Sequence, residues 1–210
     1  MDARVVDFLR PEFVEAIQTP GPRLFVMFGS TLGNLFREQQ AEFLQRIRDA
    51  LGPDDRILFG IDLVKPAEVL EPAYNDAAGV TEEFNKNVIR VLQRELGANV
   101  APEDFEHRAP FVAERSRIEM RLHAVRDLAI GFADPGMPTY DMQANEYILT
   151  EISQKFDRGS LVATLGRSDL SLDQRWTPRL VPERAGVVPA WPCLSSSESP
   201  RDASFHLPSE

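Results

Sequence analysis

The sequence predicts an α/β chain in which a parallel strand–helix–strand unit is interrupted by an α+β insert. Two patterns carry that expectation in its 210 residues. Residues 23–64 alternate strand, helix and strand, the grammar of a parallel sheet. Residues 117–122, RIEMRL, switch to a period of two, the mark of an antiparallel strand with one apolar face.

Each element has its own local reason. Residues 1–22 hold a short apolar piece, Val5–Leu9, and a Pro/Gly connector at Pro20–Pro22. Leu24 to Phe28 form an apolar run too short to span a membrane and rich enough in Phe and Val to be a buried strand. Gly29–Asn34 then place glycines, hydroxyls and an amide at the strand's carboxyl end, where open α/β sheets bind small ligands. After Asn34, Phe36, Phe43, Leu44, Ile47 and Leu51 recur at helical spacing until Gly52-Pro53. Arg56–Val64 is the second strand. Residues 66–76 read as a short helix ending at Tyr74-Asn75-Asp76. Thr81 is placed to cap a helix with Phe84, Val88, Leu92 and Leu96 on one face, closed by Gly97.

In the strand at 117–122, Ile118, Met120 and Leu122 point to a core while Arg117, Glu119 and Arg121 face water. Residues 124–132 offer its continuation or neighbour. Residues 146–156 read as a strand turning into a helix, and Leu170–Trp176 as a further strand. From residue 178 to 210, six of the 16 prolines and a serine cluster predict a largely disordered tail.

Composition narrows the function. A 43% hydrophobic content supports a packed core, and a net charge of −10 gives no electrostatic case for nucleic acid or anionic membrane. The single cysteine, Cys193, excludes an internal disulfide framework and a cysteine-cage metal site. The first residues lack the apolar core of a signal peptide, and no stretch reaches the roughly 20 apolar residues of a membrane helix. A soluble, cytoplasmic chain is expected. There is no G-x-G-x-x-G, no P-loop and no nucleophile elbow, and His107, His123 and His206 are too scattered for a metal site.

Four polar spots remain, each with two readings. Gly29 and Asn34 fit a ligand loop, although Asn34 equally fits a helix cap. Tyr74 in its polar turn can reach a carboxylate or simply pack with a wet tip. Met120 lies on the apolar face of its strand and reads as core. Glu151 and Ser153 share one side of an extended segment and can bind one ligand together, or serve as a solvated carboxylate and a cap.

Together, FGSTLGN (Phe28–Asn34), DLVK (Asp62–Lys65), AYNDAAGVTEEFNKNV (Ala73–Val88), FEHRA (Phe105–Ala109), RIEM (Arg117–Met120) and TEISQKF (Thr150–Phe156) resemble one family. It is the histidine-specific Nα-methyltransferase of ergothioneine biosynthesis and its relatives, and the resemblance covers about residues 3–177. It implies transfer of three methyl groups from S-adenosylmethionine to the α-amine of L-histidine, giving hercynine. It also implies a Rossmann-like methyltransferase sheet interrupted by a substrate-binding domain. The expected division is 1–65 for the methyltransferase part, 66–150 for the insert, 151–177 for the return and 178–210 for the tail.

By the same resemblance, Gly29 and Asn34 sit at the substrate's amino and carboxylate end and Tyr74 holds the carboxylate. Met120, Glu151 and Ser153 line the imidazole pocket, with Glu151 accepting a ring N–H. A charge-assisted bond of that kind rejects side chains without a donor. Asp7 and Phe8 resemble the pair beside the cofactor's adenine. No metal or covalent intermediate is implied. The amine attacks an activated methyl group, so the protein aligns the two and keeps the amine unprotonated.

Departures from the family pattern shape further expectations. The glycine-rich cofactor loop, the acidic residue for the cofactor's ribose and a tyrosine at the substrate amine have no counterpart in residues 1–22. The match dissolves after Gln174-Arg175-Trp176-Thr177. The chain therefore reads as the carboxyl-terminal part of a methyltransferase gene broken at both ends. Its cofactor site is incomplete, it is inactive in isolation, and its partner is a separately encoded amino-terminal half. Arg121 stands where the family has histidine, and Asn145 where it has glycine, which leaves open a relative acting on another amino acid. An inert remnant is the third reading.

Overall fold

Strand β1, Leu24–Met27, pairs in parallel with β2, Arg56–Phe59, and helix α1, Arg37–Ala50, lies between them in sequence. The expected βαβ unit is present. The computed structural model describes residues 5, 7–10, 12–13 and 21–177, together with the backbone of 191–196. Helix α1 buries Phe43, Leu44 and Ile47, the stripe that its 3.6-residue spacing marks. Strand β1 corrects the expectation of a buried strand: Leu24 is 60% and Val26 46% exposed. It lies at the edge of its four-stranded sheet, beside β2, and none of the described elements covers that face.

The chain divides into two compact units. The first comprises residues 1–28, 38–60 and 158–210, and the second residues 29–37 and 61–157. Besides β1, α1 and β2, the first unit holds helix α4 (Arg158–Gly166), strand β9 (Leu170–Trp176) and strand β10 (Trp191–Ser196). Strand β10 runs antiparallel to both β2 and β9. Within the tail, residues 191–196 form this strand, where two strand edges supply partners for its backbone groups. The remainder of 178–210 lies outside the described residues.

The first unit carries an acid-sensitive latch. Asp55 accepts the Arg23 backbone N–H at 2.7 Å, the Arg23 Nε at 3.0 Å and the Gly52 N–H at 2.7 Å. These bonds, the arginine's first, lower its pKa from 3.8 to about 2. A carboxylate depressed on folding stabilises the folded state above its unfolded pKa, and that contribution fades as pH falls from about 4 toward 2. Both tryptophans belong to this unit, so an acid titration followed by tryptophan fluorescence should show a loss of stability in that window. An Asp55→Asn variant should lack that pH dependence.

In the second unit, helix α2 (Ala67–Tyr74) and helix α3 (Val80–Leu96) precede strands β3 (Phe105–Arg108), β4 (Phe111–Val112) and β5 (Arg117–Ala124). Strand β5 is central. It pairs antiparallel with β3 and β4 on one side and with β8, Tyr147–Gln154, on the other. Strands β6 (Leu128–Ile130) and β7 (Tyr140–Met142) form a separate hairpin. One core joins Ile89, Val100, Phe105, Leu122 and Ile130, and a second joins Leu70, Ala109, Ile118 and Met120.

Two expectations here are corrected. Helix α3 buries Asn85 and Ile89, while Phe84 is 68% exposed. The i, i+4 series from Phe84 drifts around the helix, and the buried position Asn85 is fixed by polar partners described below. Its start is capped by Asp76, whose carboxylate accepts the Val80 and Thr81 N–H groups, not by Thr81.

The polar face of β5 is not solvated either. Glu119 is 1% exposed, and Arg117 and Arg121 fork onto its two carboxylate oxygens. Burial pushes the Glu119 carboxyl up, but the bonds from Arg121 and Arg117 hold it below the usual range. Arg121 also stacks over Tyr147, 4.4 Å from the ring centroid, so the departure from histidine is absorbed into this cluster. Asn145, the other departure, has φ +68°, in the left-handed region that asparagine tolerates better than most residues and glycine best.

Candidate functional site

Strand β8 ends in T-E-I-S-Q with Lys155 directly after it, and the period of two, carried one residue past the strand, puts Glu151, Ser153 and Lys155 on one side. Lys155 is fully buried. Its Nζ donates to Asp62 Oδ2 at 2.7 Å, to the Tyr74 hydroxyl at 2.8 Å and to Ser153 Oγ at 2.9 Å. The Tyr74 hydroxyl and Ser153 Oγ are 2.8 Å apart. Three donors thus meet three acceptors, which is how a charged amine can stay buried.

Asp62 supplies the counter-charge. Its second oxygen accepts from Lys65 Nζ at 2.6 Å, and its backbone N–H donates to Ser30 Oγ at 3.0 Å. Burial opposes its ionisation, yet the bonds from Lys155 and Lys65 keep its carboxyl below the ordinary range. Burial pushes the nearby Glu151 carboxyl above the ordinary glutamate value, with the Lys155 charge pulling the other way. One site thus holds a carboxylate that burial makes harder to ionise and one that lysines keep ionised.

A polar relay holds Tyr74 from behind. His107 Nε2 lies 2.8 Å from the Tyr74 carbonyl, and its Nδ1 lies 2.9 Å from Asn85 Nδ2. A carbonyl only accepts, so Nε2 carries the ring proton and Nδ1 accepts from Asn85. Asn85 Oδ1 in turn accepts from Thr150 Oγ1 at 2.6 Å.

Of the expected substrate residues, the structure brings four together. Tyr74 and Ser153 share the hydrogen bond above, Met120 pairs with Glu151 across β5 and β8, and Tyr74 packs on the core that contains Met120. Met120 is 3% exposed and is a core residue. Gly29 and Asn34 lie in the segment 29–37. Gly29 takes a left-handed turn at φ +78°, and Asn34 ends a 3₁₀ turn, Thr31–Asn34, with its side chain exposed. Asn34 does not cap α1, which begins at Arg37. Among the described residues no hydrogen bond joins Gly29 or Asn34 to the other four.

Asp7 and Phe8 belong to the first unit. Asp7 accepts the Leu9 N–H at 2.9 Å and pairs with Arg10, and Phe8 meets Phe43 edge to face with ring centroids 5.6 Å apart. The Asp7 side chain is 56% exposed, so its carboxylate lies at the surface of that unit beside the Phe8–Phe43 contact. Two clefts of the second unit lie elsewhere. One, of about 570 Å³, is lined by Glu71, Arg108, Arg121 and His123, and the other, of about 750 Å³, by Phe132, Tyr140 and Tyr147. Neither contains Tyr74 or Ser153.

Asp62, Lys155 and the relay through His107 are the members that sequence reasoning left without a role. Lys155 had a signal, since it continues the Glu151–Ser153 alternation. Asp62 had none, because its partner lies 93 residues away. Among the described residues no cluster of acids, histidines or cysteines could hold a metal, and no helix is long and apolar enough to cross a membrane.

A family model described as "Histidine-specific methyltransferase, SAM-dependent" matches residues 1–180. The histidine N-alpha-methyltransferase of Mycolicibacterium smegmatis is 42% identical over 177 residues, which cover 84% of this chain and 54% of that protein. The enzyme of the same name from Mycobacterium tuberculosis is 40% identical over 168 residues, covering 79% and 51%. Ergothioneine biosynthesis protein 1 of Neurospora crassa is 39% identical over 69 residues, covering 33% and 8%. The chain spans about half the length of the two mycobacterial relatives.

Proposed function

Because the chain belongs to the SAM-dependent, histidine-specific methyltransferase family, we propose that its second unit binds L-histidine for methylation of the α-amine. S-adenosylmethionine would supply the activated methyl group. Asp7 and Phe8 are proposed beside its adenine, and the other named residues face the substrate. Their work is to bind and orient the amino acid.

The observation that carries the proposal is the joining of Tyr74, Ser153 and Lys155 into one hydrogen-bonded group beside Glu151. Tyr74 presents a hydroxyl to the carboxylate, and Glu151 accepts the ring N–H. Gly29 and Asn34 are proposed at the amino and carboxylate end, where Gly29 leaves the backbone open to close approach: a Cβ there would meet only Thr31 Oγ1, at 3.8 Å. Met120 supplies apolar contact from the core.

Calorimetric titration of the 210-residue chain with L-histidine and with S-adenosylmethionine tests this, alone and with a polypeptide that supplies the rest of the relatives' length. Saturable L-histidine binding by the chain is expected, weakened roughly 10- to 100-fold by Glu151→Ala, as for loss of a partly buried charged hydrogen bond. Equal binding by the Glu151→Ala variant would overturn the imidazole assignment. Absence of L-histidine binding in both arms would favour an inert chain.

A further inference from the structure

Lys155 has three N–H bonds, and all three are taken. The phenol oxygen of Tyr74 and Ser153 Oγ each accept one of them, and the two hydroxyls then share a single bond with each other at 2.8 Å. Two hydroxyl protons are available and one is used inside that pair, so one is left over. Whichever hydroxyl keeps it can only point away from the ammonium, out of the cluster. Ser153 is 3% exposed whereas Tyr74 is half-buried, so Tyr74 has the outward path. In that arrangement Ser153 donates to Tyr74, and the phenol's two acceptor positions are filled by Lys155 and Ser153. Its own proton is then committed to a ligand.

We propose that Lys155, held by Asp62, is a positioning residue for specificity: it fixes Tyr74 as a one-way donor to the substrate's carboxylate. The proposal rests on the reading of Tyr74 as the carboxylate contact. An ammonium 2.8 Å behind the phenol oxygen strengthens donation to an anion far more than to a neutral acceptor. The same cation, also 4.6 Å from the centre of the Tyr74 ring, holds the ring in place. Asp62 in turn accepts from Lys65 as well as from Lys155, so one carboxylate holds two lysines, and the positive charge left over favours an anionic ligand. A ligand without a carboxylate leaves the committed proton unpaired, which is how such a site rejects it.

Affinities of the full 210-residue chain for L-histidine and for histamine, the same molecule without its carboxylate, test the proposal. The wild type should prefer L-histidine. Lys155→Met should lower L-histidine affinity about tenfold and leave histamine within about twofold, and Tyr74→Phe should do the same. The double variant should be no weaker than roughly the worse single, because both remove one shared interaction. Asp62→Asn, which leaves the lysine in place but loosens it, should give a smaller loss of the same preference, and it decides the matter if Lys155→Met does not fold. Equal losses for both ligands, or losses that multiply in the double variant, would make Lys155 merely structural. If the wild type fails to bind L-histidine, the reading of the pocket fails and the proposal with it. If the wild type binds and the Lys155→Met variant keeps its preference, only the positioning role is overturned.

Discussion

Replacing Glu119 by glutamine is expected to destabilise the second unit by roughly 3–5 kcal/mol, the usual cost of breaking a buried ion pair from one side. The carboxylate is 1% exposed and accepts from Arg117 at 2.8 Å on one oxygen and from Arg121 at 2.6 Å on the other. An amide keeps the shape but offers one acceptor and no charge, leaving two confined guanidinium groups uncompensated. Arg115, on the oxygen that Arg117 also holds, at 3.2 Å but 62% exposed, should cost under about 1 kcal/mol when replaced by alanine. All three tyrosines lie in the second unit, so urea unfolding followed by tyrosine near-UV circular dichroism reads this unit. The wild type should lose stability as pH falls through the lowered Glu119 pKa, since a depressed carboxylate stabilises only while ionised. The glutamine variant should lack that slope. A loss under about 1 kcal/mol for Glu119→Gln would show that the arginines find other partners.

Gly33→Ala is expected to be the most damaging of the small-to-larger changes in the segment 29–37. A Cβ at Gly33 would lie 2.7 Å from the Gln154 carbonyl oxygen and 3.4 Å from the Gln154 nitrogen, so it meets backbone that cannot rotate aside. The segment must lift from β8, at a cost of roughly 1–3 kcal/mol for overpacking a close contact. Asn34, the next residue, moves with it, and L-histidine affinity should fall at least about tenfold under the proposed function. Gly29→Ala makes the contrast. Space is open there, so only the left-handed φ is strained, costing about 1 kcal/mol. Thermal unfolding and L-histidine titration of both variants check the pair, and equal effects would mean that Gly33 is not held against β8.

Local pattern revealed much of the fold because the relevant forces act over a few residues. The spacing of Phe43, Leu44 and Ile47 marked α1, and alternation marked β5. Residues 146–156 read as a strand turning into a helix, but β8 runs to Gln154 and the helix starts only at Arg158. Leu170–Trp176 forms β9 with the expected bounds. Pattern failed where burial depends on what lies across a face. Leu24 and Val26 are apolar and lie exposed on an edge, whereas Glu119 is charged and buried, with Arg117 and Arg121 half-buried on it. Hydrophobicity scales assign a residue its preference, but a charge that finds its counter-charge can go where the scale forbids.

The candidate site divides along the same line. Tyr74, Glu151 and Ser153 were legible as polar residues beside apolar runs, and the motif set tied them to an amino-acid substrate. Their mutual geometry was not legible. Tyr74 meets Ser153 across 79 residues of chain and Asp62 meets Lys155 across 93, and no local rule connects such positions. The sequence by itself determined most of the element types and the family, because these follow from residue identity and short-range spacing. Only the tertiary structure decided that a buried lysine joins them, because satisfying a charge away from water depends on which distant groups the fold brings within about 3 Å of it.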